Sequence, residues 1–248
     1  FGLVIGDEAH NYKAKSLIGI MTKMTNTPER ISMTGTLDGA AVNELTVTGL
    51  FGPVEKIVST KQLMEEKHIA DLKIKLLILK HPTLACKALV GKSYQEELEY
   101  IIGCEARNRF IKNLALSLPG NTLILYSYVE KHGKQLYEMI KAKHPNTYFV
   151  SGEISADERE YIRQLVETHD NIKIVASFGT FSTGTNMKRL NNMIFASPNK
   201  SRIRTMQSLG RGLRLGEGKF ECTLYDIADE ISYKKKRNYT LNHMIERV

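Results

Sequence analysis

Thr122-Leu-Ile-Leu-Tyr126 (TLILY) opens the stretch that decides the fold, because three more short apolar runs follow it at intervals that each leave room for a helix: Tyr148-Phe-Val150, Ile172-Lys-Ile-Val-Ala176 and Met193-Ile-Phe-Ala196. Continuous apolar runs of this length suit strands buried on both faces of a parallel sheet. Between the first two, Leu136, Met139 and Ile140 recur at helical spacing, and Pro145 stops the pattern. Between the next two, Ser155 and Glu158 have the spacing of a capping box ahead of Tyr161, Ile162, Leu165 and Val166. Strands alternating with helices predict βαβ units and a mostly parallel sheet, so the fold class is α/β.

Toward the C-terminus, Ser177-Phe-Gly179-Thr-Phe-Ser182-Thr183-Gly184-Thr-Asn186 follows the third strand. A loop rich in Gly, Ser and Thr at a strand's carboxyl end can bring amides and hydroxyls close to phosphates. A plain surface loop is the other reading. Lys188, Arg189, Lys200, Arg202 and Arg204 flank it, either to track a nucleic-acid backbone or as scattered surface charge. Residues 201–213 predict a helix. In Gln207-Ser-Leu-Gly210-Arg211-Gly-Leu-Arg214, Gln207, Arg211 and Arg214 fall on neighbouring turns of one face, so two guanidiniums reach forward together. A strand over 220–227, a basic run Tyr233-Lys-Lys-Lys-Arg237 and a short helix carrying Leu241, Met244 and Ile245 complete this part.

Toward the N-terminus, Tyr94, Leu98, Ile101 and Ile102, then Ala106, Phe110, Leu114 and Leu118, predict one or two helices interrupted near Gly103 and ended by Leu118-Pro-Gly120. Gly91-Lys92-Ser93 has the last three letters of a phosphate-binding loop, but position 86 of that pattern is Cys86 instead of glycine, and Ser93 with Glu96 reads better as a helix cap. Asp71–Lys80 alternates like a half-exposed strand and opens a second domain. The turn-rich Leu50-Phe-Gly-Pro53 and a short charged helix over 59–67 put the end of the first domain near residue 68. The expected division is therefore 1–68, 69–235 and a basic terminal helix, 236–248. Within the first part, a helix over 14–24 separates a strand over 30–33, ending in Thr34-Gly35-Thr36, from a buried strand Leu3–Gly6 that ends in Asp7, Glu8 and His10. A parallel strand ending in Asp-Glu is where an α/β sheet presents carboxylates to a Mg-bound nucleotide. Two solvated acids are the alternative. Hydroxyls on the adjacent strand end could relay the nucleotide's state through hydrogen bonds, or be an ordinary turn.

The 248 residues, 42% hydrophobic, suffice for two small α/β domains. Lys and Arg outnumber Asp and Glu by 35 to 27, for a formal charge of +8, which favours a polyanionic partner. Cys86, Cys104 and Cys222 are odd in number and lack CxxC spacing, so neither a disulfide framework nor a zinc site is indicated, and a reducing cytoplasm fits best. No apolar run approaches about 18 residues and no signal peptide is visible. The first residue is Phe1, at the edge of a strand, so the sequence is expected to be part of a longer protein.

In order, the chain carries DEAH (7–10), TGT (34–36), LILYSYVEKHG (123–133), VSGEISADER (150–159), ASFGTFSTGTN (176–186) and QSLGRGLR (207–214). This order resembles motifs II, III, IV, IVa, V and VI of the superfamily 2 helicases, from Phe1 to about Asp229. The FSTG, VSGE, GKSYQEE and QxxGRxxR runs look closest to the recombination helicases of bacteriophages. The resemblance implies two RecA-like parallel-sheet domains, the first truncated at its N-terminus, with ATP in the cleft between them and nucleic acid across both. By position, Asp7 would hold Mg through its bound water and Glu8 would position or activate the attacking water. His10, Thr34, Gly35 and Thr36 would couple nucleotide state to domain movement, and Gln207 would line the nucleotide cleft. Gly184 would sense ATP beside the nucleic acid. Arg211 and Arg214 would contact the γ-phosphate, with Arg214 as the finger. Ser127, Ser151, Gly152, Ser182, Thr183 and Lys188 would face the nucleic acid.

No motif I is present, so this chain alone is expected to hydrolyse ATP negligibly. The implied parent is an ATP-dependent DNA helicase or branch-migration translocase acting on branched recombination, repair or replication intermediates, in the cytoplasm of a bacterial cell or phage-infected host. A non-catalytic nucleic-acid-binding module, an RNA helicase and a restriction-enzyme motor are the alternatives.

Overall fold

The structure is a computed structural model that describes residues 1–12, 14–35, 41–182, 187–198, 210, 213–216, 219–234 and 238–247. It divides into two compact units, Phe1–Gln62 and Leu63–Val248.

In the first unit, β1 (Leu3–Gly6) and β2 (Glu29–Ser32) pair in parallel, from Leu3 opposite Glu29 to Gly6 opposite Ser32. Helix α1 (Lys15–Lys23) joins them and α2 (Ala41–Phe51) follows β2. Strand β1 is present as the sequence predicts, but its burial is not: Leu3 is 44% exposed and Ile5 59%. Among the described residues the sheet is two strands wide, so apolar side chains pointing away from the helices stay at the surface. Gly6 is buried because Tyr12 and Phe51 close over it; a Cβ there would lie 2.9 Å from the Tyr12 hydroxyl. Helix α2 was not expected, since Thr46, Val47 and Thr48 are β-branched and Gly49 is a poor helix former. Helix α3 (Thr60–Glu65) comes next.

The second unit is built on a six-stranded, wholly parallel sheet. Its strands are β3 (Asp71–Lys80), β4 (Thr122–Tyr126), β5 (Thr147–Val150), β6 (Lys173–Ser177), β7 (Asn192–Phe195) and β8 (Glu221–Glu230), in the spatial order β3-β8-β7-β4-β6-β5. Successive side chains of a strand point to opposite faces, and the core divides accordingly. On one face Leu123, Leu125, Ile174 and Met193 pack with Ile162 and Val166 of α8 (Ala156–Thr168) and with Phe178 and Phe181 of α9 (Phe178–Ser182). On the other, Ile124, Tyr126, Val175 and Ile194 pack with Ile111 and Ala115 of α6 (Glu105–Ser117) and with Leu136 and Ile140 of α7 (Lys134–Lys141). Each such fully buried aliphatic side chain contributes roughly 2 kcal/mol. Helices α4 (Thr83–Ala88) and α5 (Tyr94–Gly103) and a C-terminal helix (Tyr239–Arg247) cover the β3–β8 side, through Cys86, Ile101, Leu241 and Met244.

The turn signals act as their chemistry requires. Ser93 and Glu96 form a full capping box at the start of α5, so Gly91-Lys92-Ser93 is a turn and a helix start. At α8 the Ser155 hydroxyl accepts the Glu158 N–H, 3.1 Å away. Gly120 has φ +72, and a Cβ there would fall 2.6 Å from the Asn191 side chain, so the turn into β4 requires glycine. One loop expectation is corrected: the chain after β6 goes straight into α9, because the apolar Phe178 and Phe181 turn inward to the core.

Candidate functional site

Asp7 and Glu8 follow β1 and both are exposed. The Asp7 carboxylate accepts the Glu8 N–H at 2.8 Å. Glu8 itself has φ 52 and ψ 55, a left-handed conformation that a non-glycine residue rarely adopts and that tends to mark functional turns. A 3-10 turn, Ala9–Asn11, then carries His10 inward to 7% exposure. There His10 Nδ1 lies 3.0 Å from the Thr34 hydroxyl and 3.3 Å from a Glu8 carboxylate oxygen. The main chain makes the same link, since Ala9 N–H donates to Met33 O at 3.0 Å and Met33 N–H to Gly6 O at 2.9 Å. DEAH and the start of TGT are thus one hydrogen-bonded corner. Gly35 continues from it with open space around its Cα, and Thr36 lies outside the described residues.

In the second unit the carboxyl edge of the sheet carries a serine at four adjacent strand ends. In spatial order these are Ser197 after β7, Ser127 after β4, Ser177 ending β6 and Ser151 after β5. Ser127 is exposed, and its N–H donates to the Ser197 hydroxyl at 3.1 Å. The Ser177 hydroxyl donates to Thr180 Oγ1 at 2.8 Å and accepts the Thr180 N–H at 3.1 Å, starting α9. Ser151 is buried, its hydroxyl accepting the Glu153 N–H at 3.3 Å, while Gly152 beside it is exposed. Sequence reasoning named Ser127, Ser151 and Gly152, and Ser177 as the start of the Gly-, Ser- and Thr-rich run, but missed Ser197. The available signal was position: a serine directly after each apolar run. Where β3 and β8 end, the buried Asp229 carboxylate accepts Arg107 Nε–H at 2.8 and 3.0 Å and His81 Nε2–H at 2.9 Å, and the Tyr100 hydroxyl lies 3.0 Å from His81 Nδ1. Burial pushes the Asp229 pKa up, but the Arg107 charge and the His81 bond outweigh it and hold the carboxyl below its ordinary value.

The opposite, amino edge holds Arg214 and Lys188. Ala70 N–H, just before β3, donates to Leu213 O at 2.7 Å, and the buried Lys219 ammonium donates to Arg214 O at 3.0 Å. The Arg214 side chain is exposed. Burial lowers the Lys219 pKa. Gly216 packs so closely on Lys188 that a Cβ would come within 3.0 Å of its carbonyl oxygen, and Lys188 N–H donates to Glu167 in the last turn of α8. The structure therefore places Lys188 beside the Arg214 segment and away from Ser127 and Ser151. Close by, Lys173 is 1% exposed and its ammonium donates to Leu118 O, Gly120 O and Thr122 Oγ1 at 2.7, 3.1 and 3.2 Å. Burial brings its pKa down to about 8. Thr183, Gly184, Gln207 and Arg211 lie outside the described residues, as does the side chain of Ser182.

Among the described residues no cluster of three or more His, Cys, Asp or Glu side chains could hold a metal ion, and no helix is long and apolar enough to cross a membrane. The three cysteines are free thiols, and burial pushes the Cys222 pKa to about 11.

Residues 105–216 match the helicase conserved C-terminal domain. Over 261 aligned residues the chain is 34% identical to the ATP-dependent DNA helicase uvsW of Enterobacteria phage T4, a match that covers 100% of this chain and 52% of that protein. The crystal structure of T4 UvsW superposes with a TM-score of 0.61 at 30% identity, covering 100% of this chain and 51% of that one. Saccharomyces cerevisiae Dbp5, solved bound to RNA and ADP BeF3, superposes with a TM-score of 0.58 over 100% of this chain and 56% of its own; at 11% identity it speaks for the fold alone. The chain thus spans about half the length of these relatives. A six-stranded parallel sheet with the helicase C-terminal domain on it, and whole-length similarity to a phage helicase, place this chain in the superfamily 2 helicases.

Proposed function

We propose that this chain supplies the acids, the arginines and the track contacts of an ATP-dependent DNA helicase or branch-migration translocase that acts on branched DNA. The observation that carries this reading is the hydrogen-bonded corner of the first unit, which sets Glu8 in a strained left-handed conformation and links His10 to Thr34. Water attack on a γ-phosphate needs a carboxylate held where it can orient that water, and a contact through which phosphate loss can be felt elsewhere. Glu8 supplies the first. His10 and Thr34 supply the second.

Mg fits this donor set. Asp7 is an exposed carboxylate with no cluster of further ligands among the described residues, and Mg is commonly held by one or two carboxylates, waters and the nucleotide's own phosphate oxygens. Bound there, the ion would neutralise charge developing on the phosphates. Arg214, and Arg211 with it, would supply the guanidinium that stabilises the same charge. The track reading assigns the polyanion to the carboxyl edge of the six-stranded sheet, where Ser127, Gly152 and the segment after Ser177 offer hydroxyls and amides, supported by the net charge of +8. Similarity to a phage DNA helicase favours DNA over RNA as the track.

The test is ATP turnover by the natural full-length protein with and without forked DNA, beside its Glu8→Gln variant. Turnover stimulated by DNA and lost in the variant is the expected result. DNA binding without turnover would overturn the motor reading in favour of a binding module, and turnover that survives Glu8→Gln would remove Glu8 from the chemistry.

A further inference from the structure

A run of buried polar groups connects the helix layer to the carboxyl edge of the sheet, and the motor chemistry above does not use it. Its centre is His132, 0% exposed, in a π-helical turn Val129–Gly133. Such turns are rare and often functional. This one requires glycine at its end, since a Cβ on Gly133 would meet the Tyr126 ring at 2.5 Å.

The direction of every bond in the run follows from its far end. Asn108 Nδ2 donates to Ile102 O at 2.8 Å and to Gln135 Oε1 at 3.2 Å, so Asn108 Oδ1 is the acceptor that faces the imidazole. His132 Nε2, 3.1 Å from that oxygen, must then carry the proton. His132 Nδ1 is left as an acceptor, and the Ser197 hydroxyl 2.9 Å away donates to it. With its hydrogen so committed, Ser197 Oγ presents lone pairs to the Ser127 N–H, 3.1 Å away. Each donor therefore points from Ser127 through Ser197 and His132 to Asn108. Burial, helped by the Arg107 charge, keeps the ring neutral by lowering its pKa to about 3.

We infer that His132 is a positioning residue for nucleic-acid binding: through Ser197 it fixes the backbone at Ser127, so that the exposed end of β4 is held against the phosphodiester track. The inference rests on reading the carboxyl edge as the track contact. Its consequence is that an interior ring with no access to solvent governs affinity at the surface.

The test uses the natural full-length protein and a fluorescently labelled forked DNA, titrated by anisotropy without nucleotide and followed by ATPase measurement against DNA concentration. His132→Phe keeps the ring's bulk and removes both nitrogens; Ser197→Ala cuts the run beside Ser127. Both should raise the DNA dissociation constant and the half-saturating DNA concentration about tenfold, the equivalent of one lost hydrogen bond, with a smaller fall in turnover at saturating DNA. His132→Asn, whose side-chain oxygen can accept from Ser197, should recover most of the loss. Variants that melt earlier yet bind DNA as the wild type does would overturn the inference, and if His132→Phe does not fold, Ser197→Ala decides alone. A wild-type protein without DNA-stimulated turnover, whose variants still lose DNA affinity, would instead overturn the motor reading beneath it.

Discussion

At the carboxyl edge of the six-stranded sheet the buried run centred on His132 is made of a hydroxyl, an imidazole and an amide bonded side chain to side chain, whereas at the amino edge the buried Lys173 and Lys219 ammoniums donate largely to main-chain carbonyls. A carbonyl is the same on every residue, so Lys173 and Lys219 can clamp a loop whatever side chains that loop carries. In the run from the Ser127 N–H to Asn108, by contrast, Ser197, His132 and Asn108 each take part through a side-chain group of defined direction. One edge is thus built to hold a segment in place, the other to hold particular groups in a particular direction. Under the proposed function, this division would fix an arginine at one end of the sheet and meet a uniform polyanion at the other.

The sharpest way to break this comparison is Arg214→Ala. Loss of a guanidinium that faces developing phosphate charge is expected to lower ATP turnover on the order of a thousandfold, with little change in DNA affinity. Equal losses in both measurements would mean that the two edges do not divide the work. Next is Lys173→Met, which fills the same space without a donor. Two carbonyls and a hydroxyl lose their partner, at about 1–3 kcal/mol each, while the cost of burying the ammonium is relieved. The loss should win by roughly 2 kcal/mol in urea denaturation, leaving DNA affinity unaltered. An equally stable variant would show the clamp to be idle.

The most gradual effect is a pH dependence that comes from a group of the carboxyl edge. Unfolded, His132 takes up a proton near 6.5; folded, it does so only near 3. Between those values the unfolded state binds more protons, so stability from this group is intact above pH 6.5 and drains away as pH falls. The slope should reach at most about 1.4 kcal/mol per pH unit. The groups facing the ring are Arg107, which adds to the depression, and Asp229, which opposes it. Denaturation curves between pH 7 and 4 should show the slope in the wild type and a shallower one in His132→Phe. Parallel slopes would mean that the ring is not held neutral.

Much of this architecture is legible in the sequence because local chemistry dictates it. The strands β4, β6 and β7 are built on short, largely apolar runs, and Ser93 with Glu96 announces a helix start that holds in the structure. Asp7, Glu8 and His10 could be picked out by type, and the corner they form with Thr34 needed only adjacent parallel strands. The left-handed turn at Glu8 could not be read, since nothing in DEAH demands it. His132 was invisible for a different reason: Glu130, Lys131, His132 and Gly133 look like a solvated turn, and only the π-helical geometry rotates the ring inward. Lys173 likewise sits in an apolar run as if it were its exposed member, yet it is buried because three acceptors at the start of β4 converge on it. Side-chain direction at irregular turns, and acceptors supplied by distant loops, are tertiary facts with no local signature.

The pairing of β3 with β8 has a consequence for how the protein is made. His81, which follows β3, and its partner Asp229 are 148 positions apart in the chain. Closing such a span costs roughly 2 kcal/mol more than closing a crossover of about 20 residues. On the ribosome, β4 and β5 can both associate with β6 through short crossovers once β6 emerges, while β3, translated before all of them, has to wait for β8. Throughout that interval a nascent strand carrying Leu72, Leu77 and Leu79, which pack on the core in the folded protein, is unpaired, and this makes β3 a segment in need of a chaperone, although it is the first strand of the second unit to be synthesised.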